Sequence, residues 1–512
     1  MHWRRKLFAK VKAFGLSGIE GFEVTVECDI HSGLPGTDIG GLPDASIKEA
    51  KERVKSAIKN SGYLFPPKRI VLNLAPADTK KEGPLFDLSI ALSTVIAYGQ
   101  VKLSAEHQNT VFIGELSLDG KLRAVRGILP ILISAVKKGF TEFVIPKENE
   151  VEASFIKGAN CYAFERLSDV VSFLSGALSC DKVQHREYNS STGRKFSQDF
   201  KFVKGQAFAR RAMEVAAAGG HNILLIGPPG SGKTMLAKCL PTILPDLGWE
   251  EALETTKIHS VAGLIPPDEG IVSIRPFRAP HHTASQVSIT GGGSKAMPGE
   301  ISLAHNGVLF LDELPEYPRQ VLEVLRQPLE SRNILVSRAS RTVTYPADFM
   351  LVSGLNPCPC GNQGSSQKEC TCTPAMINKY MAKLSGPLLD RIDMHIEVDN
   401  VTYDDIKGEE GEHSQAIRER VNAAREVQKQ RYKDYNITHN ALLDSELLLK
   451  YCVLDDKTEL LIKKAFERLG LSVRAYTRIL KVARTIADLE NSENIEFKHI
   501  SEALSYRCLD RK

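Results

Sequence analysis

Nowhere in the chain do the roughly 18 consecutive apolar residues of a bilayer-spanning helix occur. The opening segment, MHWRRKLFAKVKAFG, is basic but lacks the apolar run of a secretory signal. A cytoplasmic protein without a membrane partner is therefore expected. Excess charge is scarce as well: 66 Lys and Arg against 62 Asp and Glu leave +4. So small a balance is no nucleic-acid signature, and any such contact must come from local basic clusters. Cysteines are few, ten in 512 residues, and scattered apart from one cluster of four. A disulfide framework is not expected in so large a chain. Internal repeats and low-complexity tracts are missing too.

What remains is the composition of globular protein, 42% hydrophobic and 25% charged. At 512 residues the chain is too long for one core, and two to four domains are expected. Residues 1–175 read as mixed α/β. There, 70-IVLNLA-75 and 111-VFIGEL-116 have the pattern of strands, and 44-DASIKEAKERVKSAIKNSG-62 has helical spacing closed by Gly62. A polar, Ser-rich stretch over 176–201 reads as a linker. Strand and helix patterns alternate over 202–400, as in an α/β nucleotide-binding domain, and 401–512 is almost wholly helical in pattern.

The run 222-NILLIGPPGSGKT-234 joins an apolar strand to a helix start through a glycine-rich turn. It fits G-x-x-x-x-G-K-[ST]. The turn Gly227, Pro228, Pro229, Gly230, Ser231 and Gly232 lets backbone N–H groups close around the phosphates of ATP. Lys233 then supplies charge to the β/γ oxygens, and the Thr234 hydroxyl ligates Mg²⁺. Further along, 307-GVLFLDE-313 is an apolar strand ending in two carboxylates. Asp312 is suited to the Mg²⁺ shell and Glu313 to orienting or activating the attacking water. A buried strand that merely ends in acids is the bland alternative, and it loses force after a P-loop.

Cys358-Pro-Cys360 and Cys370-Thr-Cys372 form two C-x-C pairs around 361-GNQGSSQKE-369. Four thiolates can close a structural, tetrahedral Zn²⁺ site, with no position left open for substrate water. Reduced thiols without metal, then disulfides, stay open, because C-x-C is less specific than C-x₂-C. The adjacent His281 and His282 are not expected to share a metal, since neighbouring side chains diverge. The stretch 332-RNILVSRASRTVTYPADF-349 reads as a hairpin around Arg338-Ala339-Ser340-Arg341.

Together with 280-PHHTAS-285, 290-TGGGSKAMPGEISLAHNGVLFLDELPE-316, 356-NPCPCG-361 and 386-GPLLDRID-393, these motifs resemble the YifB/ComM family of Mg-chelatase-like AAA+ ATPases over nearly the whole chain. The resemblance implies a P-loop AAA+ α/β/α core followed by a helical lid. Gly205 and Gln206, in 202-FVKGQ-206, match the segment that contacts adenine. Asn356 falls at the sensor-1 position, Arg391 at the arginine finger, and Arg474 at the sensor-2 arginine on a helix that Ser472 would cap. For Arg391 the alternative is a salt bridge with Asp390 or Asp393. Arg478 and Lys481 read as a solvated basic face. A finger that acts in trans implies a homo-oligomeric ring, a hexamer.

In related AAA+ clades the hairpin before sensor 1 points into the ring's pore. Arg338 and Arg341 would then meet DNA phosphates, a sequence-independent and salt-sensitive contact. Residues 281–295 resemble a second pore loop, with Lys295 as a further contact. Ordinary surface arginines are the competing reading. The N-terminal segments 68–92 and 114–149 resemble a Lon-type protease domain. However, Leu85 follows Gly83-Pro84 where that family has its Ser, and Ile128 and Leu129 follow Gly127 where it has its Lys. Leucine can be neither nucleophile nor base, so no peptidase activity is expected.

Three uses of the ATPase follow from the resemblance. One is a DNA-moving ring, a helicase or branch-migration motor in recombination or natural transformation. The others are a protein-remodelling ATPase and a metal-chelatase-type motor. The basic hairpin favours DNA, since remodelling loops usually present an aromatic residue. The chelatase role lacks a D-x-S-x-S motif, because 44-DASIK-48 fails at its last position.

Overall fold

The computed structural model describes residues 7–190, 196–293, 296–338, 341–365, 368–408 and 410–511. The chain divides into two compact units. The first holds residues 1–189 and 249–272, the second 190–248 and 273–512.

The first unit is built on β1 (Phe8–Ser17) and β2 (Glu20–His31), an antiparallel ladder running from Phe8↔Asp29 to Ser17↔Glu20. On one side of it lie β3 (Gly36–Gly40) and β4 (Arg69–Ala75). The next strands are β5 (Val111–Phe112), the small pair β6 (Glu115–Leu116) and β7 (Leu122–Arg123), then β8 (Glu142–Pro146) and β9 (Asn160–Phe164). The main sheet has the order β3-β4-β2-β1-β5-β8-β9. Helix Ala45–Asn60 starts where the Asp44 carboxylate accepts the Ile47 N–H at 2.9 Å, an N-cap. Phe14, Ile70, Phe86, Phe112 and Phe143 are fully buried in this unit's core.

One expectation is corrected here. The run 111–116 is not one strand, because its middle turns to the segment before helix Asp87–Ala97. Gly114 donates to the Leu85 carbonyl at 3.0 Å and accepts from the Leu88 N–H at 3.1 Å. Residues 249–272 group with the first compact unit. Their helix, Trp249–Ala262, packs on helix Ile128–Lys137, and the Gly127 N–H donates to the Ser260 carbonyl at 3.1 Å. No periodicity reports this grouping, since a helix's hydrophobic pattern does not name the partner it meets.

The second unit contains β10 (Ile223–Ile226), β11 (Phe277–Arg278), β12 (Val308–Leu311), the hairpin β13 (Asn333–Arg338) and β14 (Arg341–Pro346), β15 (Met350–Leu355) and β16 (Met394–Glu397). Five of these make a wholly parallel sheet, β11-β12-β15-β10-β16. Every residue of ILLI in β10 and VLFL in β12 is buried, as expected where helices cover both faces. The register pairs Ile226 with Leu355 and Leu311 with Ser353. The P-loop, Asp312 and Asn356 therefore leave the sheet at one carboxyl edge, where ligands of such folds bind. Residues 414–505 are mainly helical, and helix Val473–Leu489 packs against Ala207–Gly219, Ser414–Arg431 and Phe497–Ser505. Among the described residues no helix is long and apolar enough to cross a membrane.

Glu152 offers a test of how 249–272 docks. Its carboxylate accepts hydrogen bonds from the Ser260 hydroxyl and, at 3.3 Å, the Leu129 N–H. Burial pushes its pKa up to about 7 from 4.5, only partly offset by those donors. The folded state thus holds the proton more tightly than the unfolded one, and stability falls as pH rises from about 4.5 to about 7. Glu152→Gln is expected to raise the melting temperature at pH 8, by an amount corresponding to at most about 3 kcal/mol, and to change little at pH 4.5. Thermal melts of both proteins at the two pH values check this.

Candidate nucleotide-binding site

The glycine-rich turn follows β10 directly and needs two left-handed residues, Gly230 (φ 82°) and Gly232 (φ 90°), before helix Lys233–Cys239 begins. Lys233 is only 7% exposed. Its Nζ donates to the carbonyls of Gly227 at 2.7 Å and Pro228 at 2.9 Å, and to Asn356 Oδ1 at 3.3 Å. Burial pulls its pKa below the ordinary lysine value, against the opposing fields of Asp312 and Glu313. Ser231 is fully buried, and its hydroxyl has no hydrogen-bond partner among the described residues.

The Thr234 hydroxyl donates to Asp312 Oδ2 at 2.7 Å, and Asp312 Oδ1 accepts the Glu313 N–H at 3.0 Å. Room for that carboxylate comes from Gly354 on β15, where a Cβ would lie 2.4 Å from Asp312 Oδ1. Glu313 is half exposed and left-handed (φ 52°), and its Oε2 lies 3.4 Å from His282 Nδ1. His282 lies in the 280-PHHTAS-285 motif, but nothing in the sequence pairs it with Glu313; that contact appears only in the fold. Gly205 and Gln206 are both left-handed and sit at the same turn. The Gln206 amide donates to the Ser231 carbonyl at 3.3 Å and to the Asp399 carbonyl.

The arginines assigned from resemblance lie elsewhere in the unit. Arg391 is buried, donating to the Pro387 carbonyl at 2.5 Å and pairing with Glu330, not with Asp390 or Asp393. Arg474 is largely exposed and lies 4.0 Å from Asp390, on a helix capped by Ser472. The solvated face expected for Arg478 and Lys481 is not what folds. Arg478 pairs with buried Asp393 and donates to the Asp390 carbonyl at 3.0 Å. Lys481 donates to the Ala441 carbonyl at 3.0 Å, and burial lowers its pKa to about 8. Arg338 and Arg341 form the last backbone pair of the hairpin. Lys295 lies outside the described residues.

The cysteine cluster follows Asn356. Sulfur atoms of Cys358, Cys360 and Cys370 lie 3.3 to 3.7 Å apart, and all four, with Cys372, fall within 4.8 Å of one another. A tetrahedral thiolate site with bonds of about 2.3 Å spaces its sulfurs by roughly 3.8 Å. The donors therefore fit a metal ion. Backbone N–H groups of Asn362 and Thr371 lower the Cys360 thiol to about 6, so a thiolate is available.

Sequence comparison settles the relationship. Residues 199–406 match the family described as magnesium chelatase, subunit ChlI; residues 26–149 match subunit ChlI of Mg-chelatase, and 411–507 its C-terminal part. Competence protein ComM of Haemophilus influenzae is 44% identical over 503 residues, covering 96% of both chains. Protein YifB of Escherichia coli is 43% identical over 497 residues, again 96% of both. The chain belongs to the YifB/ComM family of magnesium-chelatase-like proteins. Membership makes it an AAA+ ATPase of mixed α/β fold, using ATP and Mg²⁺. The magnesium-chelatase 38 kDa subunit of Rhodobacter capsulatus is a more distant relative, 25% identical over 351 residues, 62% of this chain and 90% of that one.

Gly354→Ala tests the packing behind Asp312. The added methyl displaces the Asp312 carboxylate from Thr234, and the Mg²⁺ concentration for half-maximal ATP turnover is expected to rise about tenfold. An Mg²⁺ titration of wild type and variant checks it. An unchanged midpoint would mean that the carboxylate tolerates the methyl.

Proposed function

We propose that the chain hydrolyses ATP at the site centred on Lys233, Thr234, Asp312 and Glu313, and that copies assemble as a hexameric ring that moves DNA. Its role would be that of a helicase or branch-migration motor in recombination or natural transformation. The ATPase assignment is carried by the meeting, at one sheet edge, of a buried ammonium bonded only to neutral oxygens with a Thr–Asp pair and an exposed carboxylate. The turn Gly227–Gly232 and Lys233 hold the phosphates, and Gly205 and Gln206 border the base. Thr234 and Asp312 hold Mg²⁺, which when bound neutralises charge on the phosphate oxygens. Glu313 and Asn356 orient the lytic water. Arg391 from a neighbouring copy and Arg474 from the helical lid, 401–512, complete the site.

The N-terminal domain, residues 1–175, joined through a linker at 176–201, serves assembly or substrate engagement rather than peptide cleavage. Leu85 and Leu129, at the places of the Lon-type Ser and Lys, are both buried apolar residues of its core, which supports that assignment. DNA is favoured as the load by the full-length similarity to competence protein ComM and by the Arg338–Arg341 pair ending the hairpin. The match to the magnesium-chelatase 38 kDa subunit supports a second, weaker reading, a chelatase-type motor. The cysteine cluster is proposed to hold structural Zn²⁺, and the protein to work in the cytoplasm.

Lys233→Ala is expected to abolish ATP turnover. In the unaltered protein, single-stranded and branched DNA should stimulate turnover at low salt and lose that effect as salt rises. Binding and turnover measured across a salt series check both. Absent stimulation together with absent binding at low salt would overturn the DNA assignment and leave the ATPase standing. Separately, protein purified without chelator should carry about one zinc ion per chain by elemental analysis, and Cys372→Ser should carry markedly less. Metal-free protein with four free thiols would refute the zinc assignment.

A further inference from the structure

Among the described residues, His282 pairs with Glu313 from outside the glycine-rich turn and the strand that carries the two carboxylates. It leaves β11 through Ala279-Pro280-His281 and brings Nδ1 to 3.4 Å from Glu313 Oε2, with only 30% of its side chain exposed. The ring is held from two directions. His281 lies 4.1 Å away, centroid to centroid, and its own Nδ1 shares a hydrogen bond with the Thr283 hydroxyl at 2.8 Å. Tyr317 meets the ring edge-on at 6.3 Å, and its hydroxyl donates to the Pro280 carbonyl at 2.5 Å. The segments carrying His282 and Glu313 are thus fastened together at Pro280 and Tyr317.

Glu313 needs such a partner. Its side chain is half exposed and extends from a left-handed residue. A carboxylate that must meet a water molecule beside the γ-phosphate loses rate steeply when its position wanders, by up to about a hundredfold for a shift near 1 Å. An imidazole held 3.4 Å from that carboxylate restricts such wandering before the nucleotide arrives.

We propose that His282 is a positioning residue for hydrolysis, holding the Glu313 carboxylate where it orients the lytic water. In the step it serves, the water oxygen bonds to the γ-phosphorus and the bond from that phosphorus to the ADP oxygen breaks. The water proton passes to Glu313. The inference rests on the assignment of Glu313 to that water.

The test measures steady-state ATP turnover and fluorescent-nucleotide binding for His282→Ala, His282→Asn, Glu313→Gln and the double variant Glu313→Gln with His282→Ala. His282→Ala should lower kcat about tenfold or more while KM for ATP stays within about twofold. His282→Asn keeps a side-chain donor and should recover most of the loss. Adding His282→Ala to Glu313→Gln should cost less than about twofold more, since the histidine acts through that carboxylate. Normal kcat in His282→Ala beside an inactive Glu313→Gln would overturn the inference alone. Additive losses in the double variant, or a KM that rises in step with the loss, would overturn it as well. Full turnover in Glu313→Gln would instead refute the underlying assignment.

Discussion

A buried ammonium satisfied only by dipoles organises the second unit. Lys233 is 7% exposed, and its hydrogen bonds all go to uncharged oxygens, two on the turn that cradles it and one on Asn356. Taking a charge out of water without an anion beside it is costly. Its lowered pKa is the mark of that cost. An anion at the turn relieves it, so the same desolvation that lowers the lysine pKa strengthens its hold on a phosphate. The parallel register then matters more than any single side chain. It places Asn356 beside the lysine and Asp312 opposite Gly354, across strands far apart in sequence.

Much of this was legible beforehand, and for identifiable reasons. Lys233 and Thr234 stand in one continuous run whose spacing is dictated by the phosphate, and a strand ending in Asp312-Glu313 has little other purpose after such a run. Ser472 was equally open to reading, because a cap acts within three residues of itself. What escaped were contacts whose partners lie far along the chain. Arg478 and Lys481 follow Arg474 at helical spacing, yet nothing local says that Asp393 and the Ala441 carbonyl wait on that face. His282 carries no spacing signal toward Glu313. The strand at 111–116 breaks because Gly114 bonds to 85–88, again a tertiary choice.

Arg391 shows how the unit ties its edge to its helices. Asn222, the residue before β10, receives the Leu351 N–H on its side-chain oxygen at 2.8 Å. Its backbone N–H donates to Asp393 at 2.8 Å, and its amide to the Arg391 carbonyl at 3.3 Å. Asp393 is also paired with Arg478 of helix Val473–Leu489, and these partners hold its carboxyl below the ordinary value despite full burial. The segment 390–393 is therefore gripped by the P-loop strand on one side and by that helix on the other. If Arg391 serves a neighbouring copy, as proposed, the backbone stays gripped while the guanidinium exchanges Glu330 for phosphate.

The cysteine cluster belongs to the same argument rather than to a separate domain. Cys358 comes two residues after Asn356, and Gly361, left-handed at φ 80°, lies so close to the P-loop that a Cβ there would sit 2.5 Å from Pro229 Cδ. Any residue but glycine would press on the turn that cradles Lys233. Four sulfurs bound to one metal would fix the loop that carries Gly361, and with it both Asn356 and one wall of the glycine-rich turn. A metal bound there would bear on the nucleotide turn through the contact between Gly361 and the Pro229 ring.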